Sequence, residues 1–186
     1  MIVRGRANRF IASEGLPYLG ALAAGTLLTW FFAGPVAAAA PAALLVWLFL
    51  IFHDPVRRVP AAPLGVVSPV DGKVVETGTI EASVFGREAQ FVAVAVNSLG
   101  TYTARCPTEG KIMDLAATEA DGRAALGSGG LWIRTDEEDD VVLRFRGNRL
   151  GLAPRCLKQY GDRVGQGQPC AFLRLTRIAG VQVTTS

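Results

Sequence analysis

Few side chains in this sequence can do chemistry near neutral pH, and they are widely separated. His53 is the only histidine, and no two of the three cysteines have the C-x-x-C spacing of a zinc site. We therefore expect no metal site. Cys106, Cys156 and Cys170 are expected to be small buried thiols of a reducing compartment.

The most specific spacing lies around Asp71. The segment Ser68–Val74 reads Ser-Pro-Val-Asp-Gly-Lys-Val, which predicts a strand, a tight turn at Asp71-Gly72 and a second strand. The spacing Pro-x-x-Gly-Lys-aliphatic recurs at Pro107–Ile112, and such segments resemble the barrel-sandwich domains of lipoyl and biotinyl carriers. A carrier needs its acceptor lysine at the tip of a hairpin. Lys73 follows its turn, which disfavours a carrier function.

The segment before this turn is predicted to lie in a membrane. No Asp, Glu, Lys, Arg or His occurs between Glu14 and His53. Two apolar runs, 16–33 and 36–52, each have about the 17–20 residues that cross a bilayer core. Gly34-Pro35 separates them and favours a tight connection between two helices. We expect a transmembrane helical hairpin; a single buried or re-entrant element is the alternative, because the second run is rich in Ala and contains Pro41.

Basic residues flank the apolar segment on both sides. They are Arg4, Arg6 and Arg9 before it, and Arg57 and Arg58 after it. This distribution predicts that both ends of the hairpin face the cytoplasm, at the cell (inner) membrane. The other arginines are spread out and the net charge is only +3, so no nucleic-acid partner is expected.

From Gly65 onward, hydrophobic residues follow the period of short strands. Candidate strands lie at 66–67, 73–75, 91–96, 111–113, 131–133, 141–145 and 171–175. No amphipathic helix longer than two turns is predicted after Pro60. The chain is therefore predicted to be mainly β: a small barrel-sandwich-like β domain over 61–186, preceded by the helical hairpin within a membrane anchor over 1–60.

The motifs also resemble, in order and spacing, those of short, membrane-anchored phosphatidylserine decarboxylases. The matching segments are Ile11–Gly15 ahead of the hairpin, Phe52–Pro55 with Arg58 and Pro60, Val67–Val74, Gly151–Arg155, and Gly161–Gly167. The family versions of the second, third and last are F-x-D-P-x-R-x-x-P, S-P-A-D-G-K-V and G-D-x-V-x-x-G. The resemblance covers nearly the whole chain. It implies a phospholipid with a phosphatidylserine-like head group, near His53, Asp54, Arg58, Ser68, Lys73 and Arg105.

The resemblance also implies a cofactor that the chain makes from itself. In the family, a Ser preceded by Gly attacks the preceding carbonyl, the chain is cut, and the Ser residue becomes a pyruvoyl group. That group binds the substrate amine as a Schiff base and withdraws electrons. A His that is oriented by the Asp of S-P-A-D-G activates the Ser, in the manner of a hydrolase triad. Asp71 occupies that Asp position.

The expected base is replaced in this sequence. Arg105 and Pro107 match the family segment V-H-x-N-R-x-P, and Tyr102 occupies its His position. An ordinary phenol has a pKa of about 10 and is a poor base near neutral pH.

The expected cleavage pair is replaced as well. After the Gly-Asp turn the chain reads Phe-Leu-Arg-Leu-Thr-Arg-Ile over 172–178, where Thr176 is the nearest hydroxyl and no Gly precedes it. The Gly-Ser pair Gly127-Ser128 lies far upstream, among glycines typical of a flexible turn. The chain ends at Ser186, where the family pattern leads us to expect a longer segment.

Three hypotheses follow. In the first, the protein is a non-catalytic member of this type that needs no cofactor. It would bind phospholipid, a partner enzyme of lipid synthesis or a second copy of itself. In the second, it is an active amino-phospholipid decarboxylase with a divergent site at Asp71, Tyr102 and either Ser128 or Thr176, and a pyruvoyl group only if it self-processes. In the third, it is a structural membrane module.

Overall fold

The structure, a computed structural model, describes residues 10–55, 65–80, 86–97, 101–113, 130–148, 152 and 154–184. The chain divides into two compact units. The first comprises Met1–Arg57 with Leu99–Tyr102, and the second comprises Arg58–Ser98 with Thr103–Ser186. The predicted domain boundary at residue 60 lies outside the described residues and stays a prediction.

The first unit is built on one apolar helix, α1 (Leu16–Phe52), which reverses direction in its middle. Gly34 has φ 84° and ψ 174°, a non-helical conformation that glycine adopts without steric cost. A straight helix of 37 residues would be about 55 Å long. Yet the residues that flank its two ends are in contact: the Ala12 N–H donates to the Phe52 carbonyl at 2.9 Å, and Ile11 forms an antiparallel bridge with His53. The helix is therefore a hairpin with its turn at Gly34.

The surface of α1 is apolar on every side. Only Ala38 and Ile51 are buried within it. The exposed large side chains include Leu27, Leu28, Trp30, Phe31, Phe32, Val36, Val46 and Trp47. By length and composition, it is the one helix in the described part of the chain that is able to cross a membrane. An all-round apolar surface of this kind is typical of a membrane span.

Among its described residues, the second unit has ten antiparallel strands in two sheets. The strands are β1 (Gly72–Ile80), β2 (Ala89–Val96), β3 (Thr103–Arg105), β4 (Gly110–Met113), β5 (Gly130–Arg134), β6 (Asp140–Asn148), β7 (Arg155–Cys156), β8 (Arg163–Val164), β9 (Pro169–Phe172) and β10 (Thr176–Thr184). The larger sheet has the order β1-β2-β10-β6-β5-β4-β8, and the smaller one has the order β3-β9-β7.

The two sheets share one hydrophobic core. Ile133 and Leu143 of the larger sheet and Ala104 and Ala171 of the smaller sheet are fully buried in the same cluster. Burying a side chain such as Leu143 contributes about 1.5–3 kcal/mol. The larger sheet ends at β1 and β8 without closing, so the unit is a sandwich of sheets and not a closed barrel. The predicted fold class, a mainly β domain preceded by an apolar helical segment, is confirmed.

Two strand predictions need correction, and four strands were not predicted: β3, β7, β8 and β10. Val66-Val67 lies outside the strands, and the strand predicted at 171–175 ends at Phe172 because the chain turns at Arg174. β10 was not predicted, although it lies in the middle of the larger sheet. Its Ala179, Val181 and Val183 belong to the core or pack against it, and they alternate with Gly180, Gln182 and Thr184. The alternation is weak because Ala and Gly are uncommon in strands.

Candidate functional site

In the second unit, backbone hydrogen bonds bring three of the motif segments together. The Arg105 N–H donates to the Pro69 carbonyl at 2.9 Å, and the Val67 N–H donates to the Pro107 carbonyl at 2.8 Å. The Arg105 guanidinium donates through Nη1 to the Gly167 carbonyl at 3.1 Å. Arg105 is only 4% exposed, so this cation ties the segments together from inside the fold.

The turn at Asp71 directly follows the first of these hydrogen-bonded segments and lies at the surface. Asp71 is exposed, and its carbonyl accepts from the Asn97 N–H at 2.9 Å. A Cβ on Gly72 would lie 1.9 Å from the Ala95 carbonyl oxygen, so only glycine lets β1 start this close to β2. Lys73 is exposed on the edge strand directly after the turn, and the Ser68 hydroxyl is bound to the Val70 carbonyl at 2.7 Å.

Thr176, the hydroxyl nearest to the family cleavage position, is fully buried. Its Oγ1 donates to the Leu173 carbonyl oxygen at 2.5 Å, and its N–H donates to the same oxygen at 3.0 Å. One carbonyl therefore accepts both protons that Thr176 can donate, which commits the hydroxyl to the turn that precedes it.

That turn has an unusual backbone. Arg174 and Leu175 have φ values of 46° and 66°, so two consecutive residues with side chains are left-handed between Leu173 and Thr176. With the Thr176 N–H bound to the Leu173 carbonyl, this is the pattern of a type I′ turn, which normally uses Asn and Gly. Each left-handed non-glycine residue costs about 1–3 kcal/mol, and such strain is concentrated at functional sites.

In the first unit, Tyr102 lies at the base of the helical hairpin. Its Oη donates to Glu14 Oε2 at 3.0 Å, and its ring packs on Phe52 with 4.8 Å between ring centroids. Glu14 was not predicted as a site residue. The available signal was its place in the motif Ile11–Gly15, which the sequence alone did not connect with position 102.

His53 and Asp54 lie at the same base. The His53 imidazole meets the Phe10 ring edge to face with 4.4 Å between centroids, and the Asp54 N–H donates to the Phe10 carbonyl at 3.0 Å. Asp54 is buried. Of the other predicted site residues, Arg58 and Ser128 lie outside the described residues.

The three cysteines border the shared core of the second unit. Cys106 and Cys170 are fully buried as expected, whereas Cys156 is half-buried. The neighbouring Cys106 thiol and burial together raise the pKa of the Cys170 thiol well above its ordinary value. Burial also raises the pKa of Cys156. The thiols of Cys156 and Cys170 therefore stay protonated near neutral pH and are inert as nucleophiles.

A buried carboxylate that sequence reasoning did not single out lies at the start of β6. Asp140 accepts from Trp132 Nε1 at 2.8 Å, from Arg134 Nε at 3.0 Å and from Arg87 Nη2 at 3.2 Å. The Arg134 guanidinium also lies over the Trp132 ring at 5.1 Å. All four residues belong to the second unit, and Asp140 links the start of β6 to β5 and to the residues before β2.

Within the described ranges, no group of three His, Cys, Asp or Glu side chains is arranged to hold a metal ion. An open cavity of about 310 Å³ is lined by Thr79, Glu88, Gln90 and Val183. None of these four is a predicted site residue.

The chain is similar to known phosphatidylserine decarboxylase proenzymes. It is 29% identical over 172 residues to that of Nitrosomonas europaea, in an alignment that covers 88% of this chain and 80% of the relative. It is 27% identical over 181 residues to that of Cupriavidus pinatubonensis, and 28% identical over 183 residues to that of Paraburkholderia xenovorans, with nearly the same coverage. No protein-family profile matches the chain.

Among solved structures, the chain is similar to glucose permease IIA from Mycoplasma capricolum. The TM-score is 0.47 at 14% identity, over 66% of this chain and 80% of the other.

The similarity to the curated relatives confirms the resemblance to phosphatidylserine decarboxylases that the motifs indicated.

Proposed function

We propose that this protein is a membrane-anchored, phosphatidylserine-decarboxylase-like protein of phospholipid metabolism that does not self-process. It would bind an amino-phospholipid head group, or a partner enzyme of lipid synthesis, without decarboxylating its ligand. The similarity to proenzymes over 88% of the chain supports the lipid context. The proposed lack of catalysis is supported by the hydrogen bonding and burial of Thr176.

A pyruvoyl group requires a hydroxyl that is free to attack the carbonyl before it. The Thr176 hydroxyl instead donates to Leu173, two residues upstream of the carbonyl that it would have to attack. Leu175, and not glycine, precedes it, and the site is fully buried. The residues around Thr176 therefore do not fit the formation of a pyruvoyl group, and we derive no decarboxylation step from them.

The hairpin supports the membrane part of the proposal. Its outer surface is apolar throughout, and the chain enters and leaves it at the same base, since Tyr18 stacks on Phe52 at 6.2 Å. If α1 crosses the bilayer, both flanks then lie on one side. With the basic flanking residues, that side would be the cytoplasmic face of the cell (inner) membrane. The proposal includes contact between the lipid and six side chains: His53, Asp54, Arg58, Ser68, Lys73 and Arg105.

Intact-mass measurement of the purified protein under denaturing conditions tests the absence of self-processing. We expect a single unbroken chain of 19.7 kDa. A new, blocked N-terminus together with release of carbon dioxide from phosphatidylserine would overturn the proposal. Inactivity of an unbroken chain towards phosphatidylserine would support it.

One observation favours the alternative of an active decarboxylase. The left-handed residues Arg174 and Leu175 store strain directly before Thr176, where a backbone rearrangement would release it. Cleavage there has a distinctive product: threonine carries one more methyl group than serine, so the new N-terminus would be a 2-oxobutanoyl group. Cleavage at Ser128 would give a pyruvoyl group. The fragment masses and the end group distinguish these outcomes.

Lipid binding is tested by limited proteolysis of the protein reconstituted in vesicles. We expect vesicles that contain phosphatidylserine to protect the Asp71–Lys73 turn more than vesicles of phosphatidylcholine alone. Equal protection would favour a structural membrane module over a lipid-binding protein. Lys73→Gln is the matched variant for loss of protection, because Lys73 is exposed and removing its charge leaves the core unchanged.

A further inference from the structure

The hydrogen bond between Tyr102 and Glu14 joins parts of the first unit that are 88 residues apart in sequence. The Tyr102 side chain is 7% exposed, and its ring packs on Phe52, which in turn stacks with Tyr18. The phenol is thus buried against the Phe52 ring, with a carboxylate at its hydroxyl end. Such surroundings weaken competition from water and strengthen the hydrogen bond.

The local fold fixes the position of Glu14. It lies in the turn directly before α1, where the Gly15 N–H donates to the Ala12 carbonyl at 2.9 Å. A Cβ on Gly15 would lie 2.3 Å from Cγ of Phe52, so glycine allows the end of the helix to pack against this turn. The sequence Ser-Glu-Gly therefore delivers a carboxylate to the same small space as the Phe52 ring and the Tyr102 side chain.

We infer that Glu14 is the positioning carboxylate for the residue in the family His position, and that it holds Tyr102 in its protonated, donating form. An ionised carboxylate can only accept, so the phenol must donate. Removing the phenol proton would place two negative charges about 3 Å apart, which strongly disfavours the phenolate. The inference deepens the proposed function and rests on it for the assignment of Tyr102 to the site. Glu14 further disfavours the phenolate that Tyr102 would need in order to act as a base.

Within the described part of this base, the other titratable side chains are Tyr18, His53 and Asp54. The described contacts link Tyr18 with Phe52 and His53 with Phe10, and Asp54 is buried beside the Phe10 backbone. Glu14 is the group whose atoms meet the Tyr102 hydroxyl in a described hydrogen bond. A change at Glu14 is therefore expected to act on Tyr102 first.

The experiment introduces a titratable probe at position 102 of the full-length protein in detergent micelles. Tyr102→His places an imidazole beside Glu14, and its titration is followed by NMR. His53 is the only native histidine, so the second imidazole signal is assigned by comparison with the wild type. With Glu14 present, we expect this imidazole to titrate about one pH unit higher than in the double variant with Glu14→Gln. Glu14→Asp should retain part of the shift, and Glu109→Gln, an exposed change in the second unit, should have no effect.

Equal titration of this imidazole with Glu14 and with Gln at position 14 would overturn the inference. A second measurement keeps Tyr102 itself: the phenol absorbance that is lost in Tyr102→Phe reports its ionisation. We expect Glu14→Gln to move that ionisation to lower pH, whereas a contact that only supports the fold would lower the melting temperature and leave the ionisation in place.

The two proposals fail in different measurements. A cleaved chain in the intact-mass test would overturn the absence of self-processing and leave the titration result standing. An unshifted titration would remove Glu14 from the site and leave the unprocessed chain unaffected.

Discussion

The two units differ in where they place large apolar side chains: the helical hairpin exposes them, and the β unit buries them. In the helical hairpin, Phe31 and Phe32 are 80% and 87% exposed, whereas Ile133 and Leu143 of the β unit are completely buried. Hydrophobic side chains leave water for whichever apolar medium is available. The β unit supplies that medium from its own two sheets. The apolar surface of the hairpin is instead suited to a bilayer, which provides an apolar medium outside the chain.

The comparison extends to buried polar groups, which each unit satisfies in its own way. At the base of the hairpin, the hydroxyl of the buried Tyr102 donates to Glu14, which is half-buried. In the β unit, Asp140 accepts from three donors on two segments, β5 and the residues before β2. Buried polar groups are tolerated when they are hydrogen-bonded, and each of these groups stabilises the meeting of segments that are distant in sequence.

The largest expected effect is on the core of the β unit. Leu143→Ala should lower the free energy of unfolding by about 3 kcal/mol, because it removes buried methyl groups and leaves a cavity. Denaturant unfolding of the full-length protein in micelles measures this. The measurement uses a background that also carries Trp30→Phe and Trp47→Phe, so that Trp132 of the β unit is the fluorescence reporter.

Leu28→Ala is the matched change in the hairpin. Leu28 is exposed, so this variant should leave the unfolding midpoint reported by Trp132 unchanged. Equal losses for the two leucine variants would contradict the contrast between an inward-facing and an outward-facing apolar surface.

The next largest effect is expected at the buried carboxylate. Asp140→Asn should cost about 2 kcal/mol, because charge-assisted hydrogen bonds to Trp132, Arg134 and Arg87 are lost or weakened. Asp136→Asn serves as the control, since Asp136 and Arg163 form an ion pair in which both side chains are exposed. Such pairs contribute less than about 1 kcal/mol. Chemical denaturation of both variants at one salt concentration makes the comparison, and a larger loss for Asp136→Asn would count against the structural assignment.

A smaller effect is expected at the base of the hairpin. Gly15→Ala should lower the melting temperature in micelles, because its Cβ would overlap the Phe52 ring, and overpacking costs about 1–3 kcal/mol. Gly20→Ala, at a position with open space, is the control and should be neutral or stabilising. Phe52→Ala should relieve the Gly15→Ala overlap. If it does not, the close approach between the ends of α1 is wrong.

The smallest effect is a pH dependence that belongs to the β unit. The pKa of Cys170 is raised in the folded protein, so the fold retains the thiol proton more tightly than the unfolded chain does. This contribution is complete below the ordinary value of 9.0 and is lost as the pH rises above it. Denaturant midpoints between pH 8 and pH 10 should therefore fall less steeply for Cys170→Ala than for the wild type. Parallel curves would show that the thiol makes no such contribution.

Much of the fold could be predicted from local patterns. The uncharged stretch and Gly34 predicted the apolar helices and their connection, and alternating hydrophobic residues predicted most of the strands. β10 escaped although Ala179, Val181 and Val183 alternate with less apolar residues, because Ala and Gly weaken the strand signal there. The short strands β3, β7 and β8 also escaped, since two or three residues carry no period and depend on their partners for definition.

The candidate site could be predicted only in part. The motif residues Asp71, Tyr102 and Thr176 were found from their spacing along the chain. The hydrogen bond from Tyr102 to Glu14 and the one from Thr176 to Leu173 were not, because hydrogen-bond partners depend on the tertiary path of the chain. The left-handed turn at Arg174 and Leu175 was also unpredictable, since neither residue favours that conformation.

The location of β10 has a practical consequence. It begins at Thr176 and is hydrogen-bonded along one edge to β2 and along the other to β6. A nick before Thr176 would cut the covalent link to this strand but leave both rows of hydrogen bonds intact. The two pieces would then migrate together under native conditions and separate only in denaturant. The same property makes the β unit suitable for fragment complementation, in which β10 is supplied as a synthetic peptide to a chain that lacks it.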